Sequence, residues 1–494
     1  MGIIEKQATK NAIYSYLGAG LGFVTVMWLS HLLAPAQNGV LRILVAYAAL
    51  FAQFANLGFT AVINRFFPYF RNKDNGHNGF LFYALVVSGI GFVLCCIVFY
   101  FLQPTLVAHN VGKSPLFITY LFYLLPLTFF TIFFNVLDSY LRAGYNSVIG
   151  SFSKEFLQRI LILVVLTAYF FDVINFNVLV LLYITATCLP TVILLVYIIK
   201  NNEWHIQPVR GFVSKELRIQ MLKLGMYSII TGGAGAIILN IDAVMINWIL
   251  GEEKTGVYGV AFYFGTIILI PARSLYRIMS SMVAEAFKTN DIPQIKTMYE
   301  KSCNSQLTIG LLLFIGIYAN IDNIMQLIPP EYAAGKSVIL ILSIGYLVEM
   351  ATGINQLIIA NSKYFRYDTF IVLSMMAVVI IANMIFIPIY GIMGSAIATA
   401  LTGIYGNAMR YLLLYKKYQM QPYTATTLQL IGIGLLAYLP SYFMPYLNNL
   451  YIDIIIRSTL VGGVFILLIL KLELSPEINS KLRKIVNRFS PVKI

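Results

Sequence analysis

Residues Gly225–Leu250 read GMYSIITGGAGAIILNIDAVMINWIL; after the polar turn Gly251–Gly256 the chain continues VYGVAFYFGTIILIPARSLYRIMSSMVAE to Glu285. Each apolar run exceeds the roughly 20 residues that cross a ~30 Å hydrocarbon core as a helix. The apolarity is continuous, not alternating with period two, which points to helices and away from barrel strands. The first run holds one acid, Asp242; the second holds Pro271, then Arg273 and Arg277 one helical turn apart. A charge inside so apolar a segment is costly, and it marks a functional site by default.

Working outward, the same pattern fills the chain. Of 494 residues, 59% are hydrophobic and 11% charged. Soluble domains carry about twice that charged fraction, so the fold class is an all-α integral membrane protein. About fourteen spans are expected, near 11–33, 41–64, 79–102, 116–141, 148–170, 176–199, 222–250, 256–284, 305–328, 336–360, 367–388, 392–415, 425–447 and 453–472. The net charge of +14 would suit nucleic acid, but the basic residues fall in alternate loops. One set of loops, with Lys154 counted among them, holds 26 Lys and Arg; the other holds only Lys113, Lys254 and Lys336. That asymmetry predicts both termini in the cytoplasm and no nucleic-acid partner.

Cys95, Cys96, Cys188 and Cys303 fall in or beside apolar runs, where no disulfide framework or metal site is expected. His31, His77, His109 and His205 lack ligand spacing, so neither metal nor cofactor is expected. Beyond the last span, Ser475-Pro476-Glu477 opens a tail with Ile478, Leu482, Ile485 and Phe489 on one face. It reads as a basic amphipathic helix on the inner membrane surface.

The opening stretch also echoes the start of the chain. Leu33-Ala34-Pro35-Ala36-Gln37-Asn38-Gly39-Val40 aligns without a gap on Leu250-Gly251-Glu252-Glu253-Lys254-Thr255-Gly256-Val257. Six helices separate the copies, so both share one membrane orientation, the arrangement of two parallel-repeat six-helix lobes. The expected organisation is an N-lobe at 1–200, a cytoplasmic linker at 201–221, a C-lobe at 222–417, two further helices at 418–472 and the tail at 473–494.

Helix rise gives depth. Arg159 lies about 16 Å and Glu349 about 20 Å into their spans, Arg273 about 26 Å and Arg277 about 32 Å. Arg159 and Glu349 are too deep to reach the interface, so each is expected to face a cavity or an ion partner. Glu155 and Arg159 are also spaced to pair along one helix. Arg277 and Arg65 sit near enough to the inner face to be interfacial anchors or to line an inward mouth. Asp242 is read as a latch candidate with Arg42, and Glu349 as a coupling carboxylate for H⁺ or Na⁺.

Several stretches resemble the polysaccharide-biosynthesis flippases of the multidrug/oligosaccharidyl-lipid/polysaccharide (MOP) exporter superfamily. They are Leu32–Gly39, Leu57–Phe66, Asp242 with Gly256–Ala261, residues 351–361, and above all Ile387-Pro388-Ile389-Tyr390-Gly391-Ile392-Met393-Gly394. In this last motif Pro388 is expected to stop one helix and Gly391 to reverse the chain. Gly394 would let the next helix pack closely. The resemblance implies a MOP/MATE-like fold. It also implies alternating-access translocation of a lipid-linked (polyprenyl-pyrophosphate) oligosaccharide across a bacterial cytoplasmic membrane for lipopolysaccharide, O-antigen, capsule or exopolysaccharide. Arg159, Glu349, Arg273, Arg277 and Arg65 become substrate-cavity candidates. Membrane lipids and the lipid-linked substrate are the expected partners of a monomer. A MATE-like organic-cation exporter and a peptidoglycan-precursor flippase stay open as alternatives. A glycan ligase or polymerase is disfavoured, since the outward loops are short and carry no nucleophile–base set; the chain is not expected to be an enzyme.

Overall fold

The computed structural model describes residues 2–72, 75–209 and 211–472, excepting the side chains of residues 2–6, 8, 9, 12, 274, 277 and 278. The tail at 473–494 lies outside the described residues. Every described element is helical. They are α1 (Gly2–Leu32), α2 (Pro35–Ala55), α3 (Phe59–Phe70), α4 (Phe80–Asn110), α5 (Leu124–Ala143), α6 (Gln158–Phe170), α7 (Phe176–Lys200), α8 (Lys215–Leu250) and α9 (Glu252–Thr266). They continue with α10 (Ile270–Lys288), α11 (Ile292–Ala319), α12 (Gly335–Ala351), α13 (Asn355–Asn361), α14 (Phe365–Tyr390), α15 (Ile392–Tyr418), α16 (Ala425–Phe443) and α17 (Leu450–Leu472), besides short single turns.

Among the described residues, eleven helices are long and apolar enough to span, or twelve if the bent pair α12–α13 counts as one. The fourteen expected spans are therefore not all met, and the reasons are local. The 148–170 segment is broken by a π-helical stretch at Phe152–Leu157, leaving α6 only 13 residues long. The 336–360 segment bends by 50° between α12 and α13. The 392–415 segment is a full helix diluted by Gly, Ser, Thr and Asn. The expected helix at 41–64 also breaks, at Leu57 and Gly58, both with positive φ. A Cβ on Gly58 would strike the Gly225 carbonyl, so the break seats α8 directly on the backbone of the α2–α3 turn.

The chain forms two compact units, Met1–Val260 and Ala261–Ile494. Within the first unit α8 packs against α2 and α3. Small residues make this close approach: Gly232 and Gly233 sit against Gln53 and Phe54 of α2. One core layer of this unit gathers Val40, Ile43, Leu44, Phe117, Leu124 and Leu166, and a second gathers Phe67, Phe70, Phe80 and Tyr140.

The two aligned turns meet each other. A Cβ on Gly39 would strike the Glu252 carbonyl, and a Cβ on Gly256 would strike the Pro35 carbonyl. In the alignment Pro35 matches Glu252 and Gly39 matches Gly256, so the contact is reciprocal in the register the repeat predicts. The Glu252 carboxylate is buried and accepts from the backbone N–H of Leu116 (3.2 Å) and Phe117 (2.9 Å). Asn247 donates to Asn110 at 2.8 Å and accepts from Ser114 at 2.7 Å, completing a sealed polar end. Gly256→Val should force these turns apart. A cysteine placed at the fully buried Thr255 should then react with an impermeant thiol reagent severalfold faster than in the parent; equal rates would show that the turns tolerate the branch.

In the second unit, α16 and α17 pack on α11 through Leu311, Ile315, Leu430, Ile433, Val461 and Phe465. Beneath them lies a buried pair. Arg457 donates Nε to Asp453 at 2.6 Å and its remaining nitrogens to the carbonyls of Ser441, Met444 and Pro445. Asn323 donates to the same carboxylate at 2.6 Å. Nearer the surface Asp322 accepts from Lys336 and, at 2.7 Å, from the Tyr446 hydroxyl. Those bonds hold the Asp322 carboxyl below the usual carboxylate range, and donation to Asp322 pushes the Tyr446 phenol up. A lowered acid stabilises above its unfolded pKa of about 3.9 and loses that contribution as pH falls through the folded value. A raised phenol stabilises below about 10 and loses it as pH rises through its folded value. Melting temperature should therefore carry the full contribution between about pH 4 and pH 10, with Asp322→Asn removing the acid limb.

The turn motif differs from its expectation. Pro388 does not stop its helix: α14 runs through it to Tyr390. The stop is Gly391, with φ 60 and ψ −140, a conformation that side chains disfavour. A Cβ on Gly394 would strike the Phe386 carbonyl, so the close packing expected there is present. Tyr390 is exposed.

Candidate functional site

In the first unit a cavity opens among α1, α2, α7, α8 and α9. This cavity, of about 190 Å³, is lined by Asn38, Arg42, Tyr183, Asn240 and Gly259, among others. Gly259 makes room for Arg42, since a Cβ there would strike its Cδ. Asp242 is buried and accepts from the Tyr258 hydroxyl at 2.6 Å, on the residue next to that glycine. The latch candidates Arg42 and Asp242 thus flank one helix crossing.

Arg159 is held as well. Its guanidinium donates to the Gly18 carbonyl and lies 3.7 Å from Glu155. One of its five N–H donors is committed to α1 and its charge is paired with Glu155, which weakens it as a free cavity cation. The sequence missed Lys154, counted there among the loop charges. The π-helical turn carries it into the unit, where its ammonium lies 4.4 Å from the Phe134 ring. Asp138, Glu155 and Arg142 act on its charge, yet its side chain remains open to solvent. An exposed cation in an otherwise apolar segment is costly unless it finds water or a partner, and π-bulges recur at functional positions. The π-turn leaves no periodicity signal, so only the clustering of Lys154, Glu155 and Arg159 in one apolar segment was legible.

In the second unit the site is the break between α12 and α13. Gly353, with φ +60, sits against Ser302 and Cys303, where a Cβ would not fit. Unwinding frees backbone groups that must find partners. The Gly353 carbonyl accepts from the Tyr276 hydroxyl at 3.1 Å, and the Ile354 N–H donates to the Ser302 hydroxyl at 3.3 Å. Asn407 on α15 accepts from Thr352 at 2.9 Å and from Asn355 at 3.0 Å. Glu349 sits in the last helical turn before this break. Protein surrounds it and the charges of Arg410 and Arg273 act on it, yet its side chain is open to solvent. Arg410 itself is buried and paired with Asp368 at 2.8 Å.

Broken helices with a wetted charge beside them line binding cavities in membrane transporters. The structure thus brings Glu349 and Arg273 together electrostatically, with Arg273 exposed on α10. Arg65 is an exposed cation midway along α3, 6.0 Å from the Phe66 ring. Arg277 lies on α10, and its side chain is outside the described residues. Asp368–Arg410 and Asp453–Arg457 were not singled out from the sequence, although Asp453 and Arg457 stand at helical pairing distance inside an apolar run.

These features define a multi-pass helical membrane protein, and its fold is known. It superposes on the lipid II flippase MurJ in an inward closed conformation with a TM-score of 0.74 at 14% identity, covering 93% of this chain and 97% of that one. An inward-facing multidrug resistance MATE family transporter of the MOP superfamily matches with a TM-score of 0.63 at 16% identity, over 83% of this chain and 98% of that one. A MATE transporter of Vibrio cholerae matches at 0.57 and 14% identity, over 85% and 99%. No curated protein sequence matches significantly. The sequence profile of the polysaccharide biosynthesis protein family matches residues 6–276, more than half of the 494. The chain belongs to that family.

Proposed function

We propose that this protein is a flippase that carries a lipid-linked, polyprenyl-pyrophosphate oligosaccharide across the bacterial cytoplasmic membrane by alternating access between two lobes. The observation that supports this most is the exposed charge carried by each unit, Lys154 in one and Glu349 in the other, within otherwise apolar segments. A pyrophosphate crossing hydrocarbon needs cationic partners in a water-filled cavity, and Lys154, Arg273 and Arg42 are suited to supply them. Arg159, fixed to α1, positions the π-helical stretch that presents Lys154. Arg65 and Arg277 serve the inward mouth. Glu349, beside a helix break, is suited to take up H⁺ or Na⁺ during the cycle. The sealed end built on Gly39, Gly256 and Glu252 is the part that must open to release substrate. In this reading the termini are cytoplasmic and the polymer served is a lipopolysaccharide, capsule or exopolysaccharide.

A MATE-like exporter of organic cations is the second reading, and Glu349 favours it, because a wetted carboxylate also suits a cationic substrate. Mass spectrometry of polyprenyl-linked intermediates in cells lacking the protein separates the two. Build-up of one complete repeat unit on the cytoplasmic side is expected; its absence, with raised sensitivity to organic cations, would favour the exporter.

A further inference from the structure

Where α3 and α5 end side by side, the first unit carries an open cleft of about 460 Å³ lined by Asn64, Pro68, Arg71, Arg142, Ala143 and Tyr145. Asn64, Pro68 and Arg71 follow one another along one face of α3 and its C-cap. Among these lining residues there are two arginines and no acid. Asp138 lies beneath, held 3.0 Å from Arg142 and turned against Gly150.

Arg71 is fixed in place before any ligand arrives. It donates to the Ala143 carbonyl at 2.5 Å, and its guanidinium carbon lies 4.2 Å from the centre of the Tyr145 ring. Its Nε is buried and has no partner, an unmet donor on a rigid fork. Buried donors without partners are rare, and the nitrogens of the same guanidinium that line the cleft are the ones an oxygen ligand would meet. Arg142 keeps a side chain 53% exposed at the cleft while it is paired with Asp138 and donates to the Ser139 hydroxyl. Tyr145 holds a left-handed backbone with φ 65, costly for a non-glycine residue. Gln7 sustains it by donating to its carbonyl at 2.5 Å. The span Leu121–Ala143 ends at this cleft, so it opens at the depth where an apolar helix meets the headgroup layer.

We propose that this cleft is a phosphate-binding site at the membrane surface, separate from the transport cavity, whose occupant is a phosphate ester or free phosphate. Basic pockets between spanning helices at headgroup depth bind anionic headgroups, and a fixed arginine fork matches phosphate oxygens two at a time. Occupancy would tie the end of α3 to the end of α5 and steady the strained turn after α5.

The test uses the full-length protein purified in detergent, with two probes. Native mass spectrometry follows retention of phosphatidylglycerol against phosphatidylcholine, and a thermal-shift assay follows inorganic phosphate. Arg142→Gln and Asn64→Leu should each weaken the bound phosphate, the arginine change by about fivefold. Arg65→Gln, an exposed cation on the same helix, should leave it unchanged. Arg71→Gln should abolish binding; should that variant not fold, Arg142→Gln and Asn64→Leu decide. Selective loss of phosphatidylglycerol retention assigns a lipid headgroup, and loss of phosphate stabilisation assigns free phosphate. Equal retention and equal stabilisation in parent, Arg142→Gln and Asn64→Leu would overturn the proposal.

Discussion

Asp453→Ala is expected to destabilise the protein by about 3–5 kcal/mol, because it leaves the Arg457 guanidinium buried without its counter-ion. Arg457 is 3% exposed and Asp453 is fully buried. The three carbonyls that Arg457 also reaches belong to the end of α16 and the turn after it, so the pair fastens α17 to α16. Asn323 brings the segment after α11 to the same carboxylate. The loss should therefore spread over three chain segments and show as a lower unfolding midpoint in detergent. The double variant Asp453→Ala/Arg457→Leu should regain much of the loss, since removing both charges also removes their desolvation penalty. If the single and double variants lose equally, the cluster acts through packing and not through charge.

Glu349→Gln is expected to slow transport by roughly 5–150-fold, the range of a typical coupling free energy. The amide keeps the shape and the hydrogen-bonding reach while removing the charge that Arg273 and Arg410 feel. Folding and membrane level should be unchanged, because Glu349 faces solvent and closes no packing gap. The measurement is translocation of a lipid-linked oligosaccharide analogue in reconstituted vesicles across a series of pH and Na⁺ concentrations. In the parent the rate should depend on one of these ions. The Gln variant should lose that dependence along with the rate. A slow variant that keeps the ion dependence would make Glu349 a positioning residue; an unchanged rate would remove it from the mechanism.

The sequence carried the fold class because apolar length is a direct physical demand of the bilayer. Gly39 and Gly256 were aligned on few identities, and the structure places them in mutual contact in that register. What escaped was whatever depends on local unwinding. The breaks at Gly58 and Gly353 and the π-helical turn at Phe152–Leu157 lie inside runs whose hydropathy is unbroken, so length counting passes over them. The π-helical turn that carries Lys154 leaves no mark in the sequence pattern, so the setting of that side chain was not legible. Pro388 was overread: in lipid a proline is tolerated within a helix, and the chain stops only where Gly391 frees the backbone. Arg159 was placed at useful depth, but its bond to the α1 backbone depends on which helices are neighbours, which no single-chain pattern encodes.

The reciprocal touch of Gly39 and Gly256 has one more consequence. A contact in which residue i meets residue j while the counterpart of j meets the counterpart of i is isologous, the kind made by two identical subunits about a two-fold axis. Here both halves of the contact lie in one chain, joined by the intervening helices. A polypeptide of half this length would already carry the glycine and the facing carbonyl from which the joint is made. The buried end of this unit is, in its geometry, a dimer interface folded into one chain.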